Sequence, residues 1–165
     1  MNDNWYDTAQ ICINGHVITD SLATSPEVGQ KFCNKCGAPT ITHCQVCNAS
    51  IRGFYHLESV IYSSNYKLPY FCYDCGKPYP WTEAKLKAAQ EFSDMLEELS
   101  SEERDLLKKS LDYIVLDTPQ TTVAANRIKM LATKLGKVAA EQLRELVVDI
   151  ASETAKKIIL EQGKL

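Results

Sequence analysis

Every cysteine in this 165-residue chain belongs to a short pair of potential metal ligands. Three pairs have the spacing Cys-x2-Cys and one has the spacing Cys-x3-His, at these positions: Cys12/His16, Cys33/Cys36, Cys44/Cys47 and Cys72/Cys75. Zinc prefers four tetrahedral ligands of sulfur or imidazole nitrogen, and such short spacings let one tight turn direct both side chains to one ion. The eight ligands therefore predict two closed, structural zinc sites per chain.

Other uses of the cysteines fit less well. Seven is an odd number, which is a poor count for a disulfide framework. The N-terminal residues contain neither a basic start nor an apolar run, so we expect no signal peptide and a cytoplasmic protein, where such spacings indicate metal binding. An iron–sulfur cluster uses four cysteines, but the first two pairs include a histidine.

The pairs can be combined in two ways. Sequential pairing places Cys12, His16, Cys33 and Cys36 in one site and the four later cysteines, Cys44, Cys47, Cys72 and Cys75, in the other. Interleaved pairing gives the cross-braced arrangement of a RING domain. We favour sequential pairing because each half then has the same layout, a ligand turn, a hairpin and a second ligand turn. Interleaved pairing is the alternative.

Glycines lie beside the ligand residues, and two histidines belong to no pair. Gly15, Gly37 and Gly76 each lie beside a ligand, where a tight turn needs the positive φ values that glycine adopts without strain. His43 and His56 belong to no pair. His43 is next to Cys44 and could compete as a ligand, but we expect both imidazoles to be surface or supporting groups.

Composition changes at Trp81, which predicts two domains. All seven cysteines and all three histidines precede it, whereas the later residues are rich in charged and aliphatic side chains. We expect a double zinc ribbon over residues 1–81 and a helical assembly domain over residues 82–165, an α+β protein. Each ribbon has only about 40 residues, too few for a sufficient apolar core, so metal must supply much of its folding energy.

Short strands are predicted in the first domain. The segment 11–18 alternates around the first ligand pair. The segments 50–62 and 66–73 are rich in tyrosine and alternate similarly, with Ser63, Ser64 and Asn65 between them. We interpret these two segments as the arms of a β-hairpin.

Helices are predicted throughout the second domain. Thr82 caps a first helix that runs to about Leu99, and Ser100 with Glu103 forms a capping box for a second helix. Thr118, followed by a proline, begins a third helix that reaches about residue 137. Gly136 either breaks this helix or lies within one long helix. The last segment continues to about residue 162.

The last segment also predicts a homo-oligomer. On one continuous helix, a core stripe would be formed by Leu143, Leu146, Val147, Ile150, Thr154 and Ile158. The apolar arc would be widened by Val148, Ala151, Ala155 and Ile159. An ordinary surface helix needs a stripe of only about 100°. A second copy of the chain is the simplest partner that could bury the rest of this apolar arc. Alternatively, the ribbons or the first helix of the same chain bury it.

Charge argues against a nucleic-acid-binding surface in the first domain. Residues 1–81 carry five Lys/Arg against six Asp/Glu. Three thiolates on one Zn²⁺ and four on the other would lower this formal −1 to about −4. Phosphate backbones are bound chiefly by Lys and Arg. One basic stretch exists further along, with Arg127, Lys129, Lys134 and Lys137. We expect it to pair with acidic neighbours or to be solvated.

No catalytic constellation is evident in the sequence. A catalytic zinc keeps one position open for water, whereas each predicted set of four ligands is complete. The sequence has no phosphate-binding glycine loop and no His-Glu-x-x-His motif. It has no run of 18 apolar residues, so no transmembrane helix is expected. We expect a protein that is not an enzyme.

Four strings resemble a known bacterial family: ICINGH at 11–16, FCNKCG at 32–37, SIRG at 50–53 and CYDCGKPYPWT at 72–82. They are similar to domain of unknown function 2321, a zinc-ribbon family with a helical C-terminal region. The resemblance implies zinc ligation at the eight positions above and a bacterial, cytoplasmic setting. It implies no activity.

Together these patterns favour a zinc-stabilised protein-interaction or adaptor module that self-assembles through its C-terminal helices and has an unknown protein partner. The alternative is a nucleic-acid-binding zinc-ribbon regulatory protein.

Overall fold

The computed structural model describes residues 4–57 and 65–161. The chain divides into two compact units, Met1–Glu83 and Ala84–Leu165. Small β-sheets with clustered cysteines form the first unit, and helices dominate the rest of the chain, so the α+β class is confirmed.

Five short strands form two sheets in the described part of the first unit. Their bounds are Trp5–Thr8 (β1), Gln10–Cys12 (β2), Val17–Thr19 (β3), Thr40–Ile41 (β4) and Arg52–His56 (β5). β1 and β5 pair antiparallel, and the second sheet has the order β3-β2-β4. The predicted alternation over residues 11–18 is confirmed, because β2 and β3 form an antiparallel pair around the first ligand turn.

The predicted hairpin between segments 50–62 and 66–73 is wrong. β5 pairs with β1 near the N-terminus, where Tyr6 lies opposite Tyr55. Residues 65–69 are not in a strand, and Ser63 and Ser64 lie outside the described residues. Aromatic cross-strand pairs explain this partner, since the Trp5 ring stacks on His56 at 4.3 Å between centroids.

An aromatic core holds the first unit together. It consists of Ala9, Ile11, Cys44, Ile51, Cys72, Tyr79 and Trp81. The rings of Tyr79 and Trp81 stack at 4.6 Å, and the indole N–H of Trp81 donates to the Pro69 carbonyl at 2.7 Å. The core thus includes two of the predicted metal ligands as well as apolar side chains.

Up to residue 161, where the description ends, five helices follow, at Pro80–Asp94 (α1), Ser101–Ile114 (α2), Pro119–Ala132 (α3), Lys137–Ile150 (α4) and Glu153–Leu160 (α5). Within the described ranges, none of them has the length and apolar character needed to span a bilayer. In the second unit α3 packs against both α2 and α5.

The bounds predicted for the first helix are wrong at both ends. α1 begins at Pro80, and the Thr82 hydroxyl donates to the Tyr70 carbonyl instead of capping the helix. Beyond Asp94 the backbone forms tight turns, in which the Leu99 N–H donates to the Leu96 carbonyl at 3.2 Å. Leu96 and Leu99 are nevertheless buried. Their apolar spacing predicts a helix, but the turns bury the same two side chains.

The caps predicted for the next two helices are confirmed. The Ser100 hydroxyl accepts from the Glu103 N–H at 3.2 Å, and the Glu103 carboxylate accepts from the Ser100 N–H at 3.1 Å. Thr118 is the N-cap residue of α3 and Pro119 is its first residue. α3 ends at Ala132, a few residues before the predicted end.

The last segment is two helices, and the continuous helix expected there is wrong. Gly136 is the N-cap residue of α4, so the helix is interrupted there and α3 and α4 are separate. A second break follows at Ala151, which is extended, and the Ser152 hydroxyl caps α5 by accepting from the Ala155 N–H. The break turns α5 onto α3, so Ala155 is buried and Ile159 partly buried within the unit.

Candidate metal centres

The first four predicted ligands lie together. The Sγ atoms of Cys12 and Cys33 are each 3.5 Å from Nδ1 of His16, and Sγ of Cys12 is 3.8 Å from Sγ of Cys36. All four donor atoms lie within 4.8 Å of one another. β2 ends at Cys12, and β3 begins directly after His16, so the β2–β3 turn presents this pair.

The four later cysteines form a second group. Sγ of Cys44 is 3.8 Å from Sγ of Cys75, and Sγ of Cys47 is 3.6 Å from Sγ of Cys72. These four atoms also lie within 4.8 Å of one another. The grouping is sequential, not the interleaved arrangement of a RING domain.

The donor separations match a tetrahedral ion. With a Zn–S distance of about 2.3 Å and a Zn–N distance of about 2.0 Å, a tetrahedron places two sulfurs about 3.8 Å apart and a sulfur and a nitrogen about 3.5 Å apart. The separations of 3.5–3.8 Å given above agree with these values. Each group could therefore hold one metal ion with protein donors in all four positions.

A left-handed residue closes each ligand turn. Positive φ occurs at Gly15, Gly37 and Gly76, as the sequence predicted, and also at Asn48, where φ is 62°. Asn48 follows Cys47 just as Gly37 follows Cys36, and its N–H donates to the Cys44 carbonyl at 3.0 Å. Asparagine tolerates this conformation best after glycine. An asparagine directly after Cys47 is therefore a turn signal that the sequence analysis missed.

Three of the turns repeat one backbone pattern. The N–H of the first cysteine, Cys33, Cys44 or Cys72, donates at 2.8 Å to the carbonyl five residues later, on Ala38, Ala49 or Lys77. Backbone N–H groups also point at sulfur, as in the donation from Val46 to Sγ of Cys44 at 3.5 Å. Such donors stabilise a thiolate, the form that binds metal.

One thiol in each group is already acidic. Hydrogen bonds from the Ala38 N–H and the Asn14 amide lower the pKa of Cys36 to about 6. Burial would raise the pKa of Cys72, but N–H donors of Cys75 and Asp74 bring it down to about 6. Each group therefore contains one thiol that loses its proton more readily than an ordinary cysteine.

Neither of the remaining histidines joins a group. Nδ1 of His43 lies 2.8 Å from the Thr42 hydroxyl, and Nε2 lies 3.3 Å from the Ser50 hydroxyl. Nε2 of His56 lies 3.2 Å from the buried carboxylate of Asp7. Both imidazoles thus have supporting contacts, in agreement with their expected role.

Asp7 anchors the loop that follows β3, which the sequence did not reveal. Its carboxylate accepts from the backbone N–H groups of Thr8 at 2.6 Å and Ala23 at 2.7 Å, and from the Thr24 hydroxyl at 2.5 Å. Burial opposes ionisation, but these donors outweigh it and hold the pKa of Asp7 below its usual value. The network holds the loop after β3 against the Asp7 carboxylate.

Comparison with protein-family models matches residues 5–159 to a model described as an uncharacterized protein conserved in bacteria, DUF2321. The matched range includes all eight donors, the helices α1 to α4 and all but the last residue of α5. No curated protein and no solved structure matches the chain.

Proposed function

We propose that this chain, which belongs to the DUF2321 family of bacterial proteins, is a zinc-stabilised protein-interaction module of the cytoplasm. Zinc is supported by the donor chemistry, since seven thiols and one imidazole suit it, and by donor separations that fit its tetrahedral radius. With four protein donors in each group, the ion has a structural role, and we propose no enzymatic activity.

An exposed stack of aromatic and guanidinium groups carries the interaction role. The Arg52 guanidinium lies 4.6 Å from the ring centroid of Tyr6 and 3.7 Å from that of Tyr73. Tyr6 is 48% exposed and Tyr73 is 51% exposed, so about half of each residue is accessible to a partner. Tyrosine and arginine are enriched among the residues that dominate protein–protein binding energy.

The same stack could bind nucleobases, which is why nucleic acid is the second candidate. Charge favours a protein partner, because residues 1–81 carry only five Lys/Arg, and these are the residues that chiefly bind a phosphate backbone. Arg52 itself is held between two rings and is not directed at a phosphate. A centre rich in aromatic residues and arginine is typical of protein interfaces.

Metal analysis tests the zinc proposal. Purified protein should contain about two zinc ions per chain, one for each four-donor group. Cys33→Ser should reduce this to about one and unfold the first site, because three remaining donors cannot close the tetrahedron. Phe32→Ala, which changes an exposed neighbour, is the matched control and should retain both ions. Iron, or a single zinc ion in the unchanged protein, contradicts the assignment.

A pull-down comparison tests the interaction surface. Tyr6→Ala with Tyr73→Ala should abolish specific capture of a protein from the native cell, measured by quantitative mass spectrometry against the unchanged chain. Phe32→Ala again serves as the control, since it removes a ring that is even more exposed, at 63%, elsewhere in the unit. Capture of RNA or DNA that disappears in the same double variant would instead support the second candidate.

Self-assembly through the helical unit is the remaining part of the proposal. The broad apolar arc expected on one C-terminal helix is divided between α4 and α5, so we propose a surface on α3 instead. Val123 and Met130 are exposed and seven residues apart on α3, on the side opposite its buried residues. Val123→Glu with Met130→Glu should halve the particle mass measured by light scattering. A monomer in the unchanged protein excludes self-assembly.

A further inference from the structure

An apolar groove lies between α3, α4 and α5 within the helical unit. Its walls include Ile128 and Ala132 from α3, Ala140 and Leu143 from α4, and Ile159 from α5. Ile128 and Leu143 are almost fully buried and form its base. The cavity volume is about 350 Å³. The break between α4 and α5 creates the groove, because it turns Ile159 toward the other two helices.

Three cations and one carboxylate surround the groove. They are Lys129, Lys137, Arg144 and Glu141. Lys129 donates to the Ile158 carbonyl at 3.1 Å, whereas Lys137 and Arg144 form no ion pair with another described residue. The lysines of the basic stretch thus differ in their surroundings. Lys134 pairs with Glu103, but Lys137 remains available at an apolar site.

The size of the groove distinguishes between classes of occupant. Small-molecule sites have volumes of about 300–1,000 Å³ and are mostly apolar with a few polar groups. A stable protein interface buries about 800 Å² on each partner, far more than one groove of this size offers. The groove is therefore suited to a short apolar chain, and its excess of positive charge favours an anionic head group.

We propose that this groove binds a medium-chain alkyl carboxylate, with the chain against Ile128, Leu143 and Ile159 and the carboxylate near Lys137 and Arg144. The site lies wholly within the helical unit. It therefore goes beyond the protein-interaction role and stands whether or not the Tyr6–Arg52–Tyr73 stack binds a partner.

A chain-length series measures the apolar part of the site. Hexanoate, octanoate and decanoate are titrated into the full, metal-loaded protein by calorimetry. Affinity should rise about fourfold per added methylene until the groove is filled. Decylammonium has the same chain with the opposite charge and should bind at least tenfold more weakly than decanoate. Equal binding of the two decyl compounds, or no binding of decanoate, overturns the proposal.

Charge variants measure the head-group part. Lys137→Glu should weaken octanoate binding, and Glu141→Gln should strengthen it, each by roughly two- to fivefold. Lys109→Glu is the matched control, because Lys109 is an exposed lysine on α2 that does not line the groove, and it should leave the affinity unchanged. Octyl phosphate, tested alongside, separates preference for a carboxylate from a general preference for anions.

A groove-filling variant locates the site. Ala140→Leu should abolish octanoate binding while the helical circular dichroism signal is retained. If this variant fails to fold, the opposite shifts from Lys137→Glu and Glu141→Gln still decide the question, since both lie on the surface. If Ala140→Leu converts a dimer to a monomer and the unchanged protein binds no octanoate, the occupant is a second copy of the chain and the proposal is wrong.

Discussion

At Gly53, β5 passes so close to the loop after β3 that no side chain fits. A Cβ atom placed on Gly53 would lie 2.0 Å from the Asp20 carbonyl oxygen and 2.9 Å from the Ala9 nitrogen. Both are backbone atoms, so neither can move aside as a flexible side chain would. This close approach lets the Phe54 N–H donate to the same Asp20 carbonyl at 2.7 Å.

Gly53→Ala should therefore destabilise the first unit by about 1–3 kcal/mol, the usual range for overpacking. Thermal unfolding followed by fluorescence measures the change. Gly136→Ala is the control, because a Cβ there would meet only the Glu98 carboxylate at an ordinary 3.6 Å. Equal effects of the two substitutions would contradict the steric argument.

Asn48 permits a second test at single-residue resolution. With φ at 62°, Asn48→Gly should retain both metal affinity and stability. Asn48→Val should destabilise the first unit by roughly 1–3 kcal/mol, since a β-branched residue is strained in this conformation. Competition with a chromophoric chelator compares the zinc affinities. Similar affinities in the two variants would show that the turn does not depend on its left-handed residue.

Helix caps are the features of the elements that the sequence predicted best. Ser100 with Glu103 and Thr118 with Pro119 form the expected starts, because both patterns act over three or four neighbouring residues. The start of α5 at Ser152 was missed, since its cap lies inside an apolar periodicity that continues on both sides. A local pattern cannot show that the Ser152 N–H will meet the Ile114 carbonyl at 2.7 Å.

Ser100→Ala should lower the free energy of unfolding by about 1 kcal/mol through loss of the α2 cap. Chemical denaturation followed by circular dichroism measures it. Ser101→Ala is the matched control, because Ser101 is the next residue, is exposed and occupies the first turn of α2. A loss at Ser101 as large as that at Ser100 would show that the cap is not the cause.

Strand pairing was the least predictable property of the elements. β5 is bordered by a tyrosine-rich segment that resembles a hairpin partner, yet it pairs with β1 across more than forty residues of sequence. β1 is selected as the partner of β5 by aromatic stacking and by the folding of the ligand turns between the two strands. Neither effect acts between sequence neighbours. The metal ligands were predictable for the opposite reason, since each pair is defined by one short turn.

The whole molecule consists of one unit whose core depends on cysteines and one unit whose core is aliphatic. Cys44 and Cys72 belong to the core of the first unit, whereas side chains such as Leu107, Leu111 and Leu143 are buried in the second. A small β-unit with ligands in its core has little to hold it together without metal.

Chelation should therefore separate the stabilities of the two units. Excess chelator should make residues of the first unit sensitive to protease, while the α2–α5 region stays resistant and helical. Limited proteolysis with mass spectrometry identifies the cleaved sites, and re-addition of zinc should restore resistance. Simultaneous loss of structure in both units would mean that the helical unit cannot fold without the first.

The fluorescence of Trp81 should report whether the metal sites are occupied. The chain has two tryptophans, of which Trp5 is 45% exposed and Trp81 is fully buried. Trp81 packs on Gly15 in the first ligand turn and shares a core with two ligands of the second group. In a Trp5→Phe variant, the emission of Trp81 should shift to the red as zinc is withdrawn. Unchanged emission in metal-free protein would show that the indole stays sheltered without the ions.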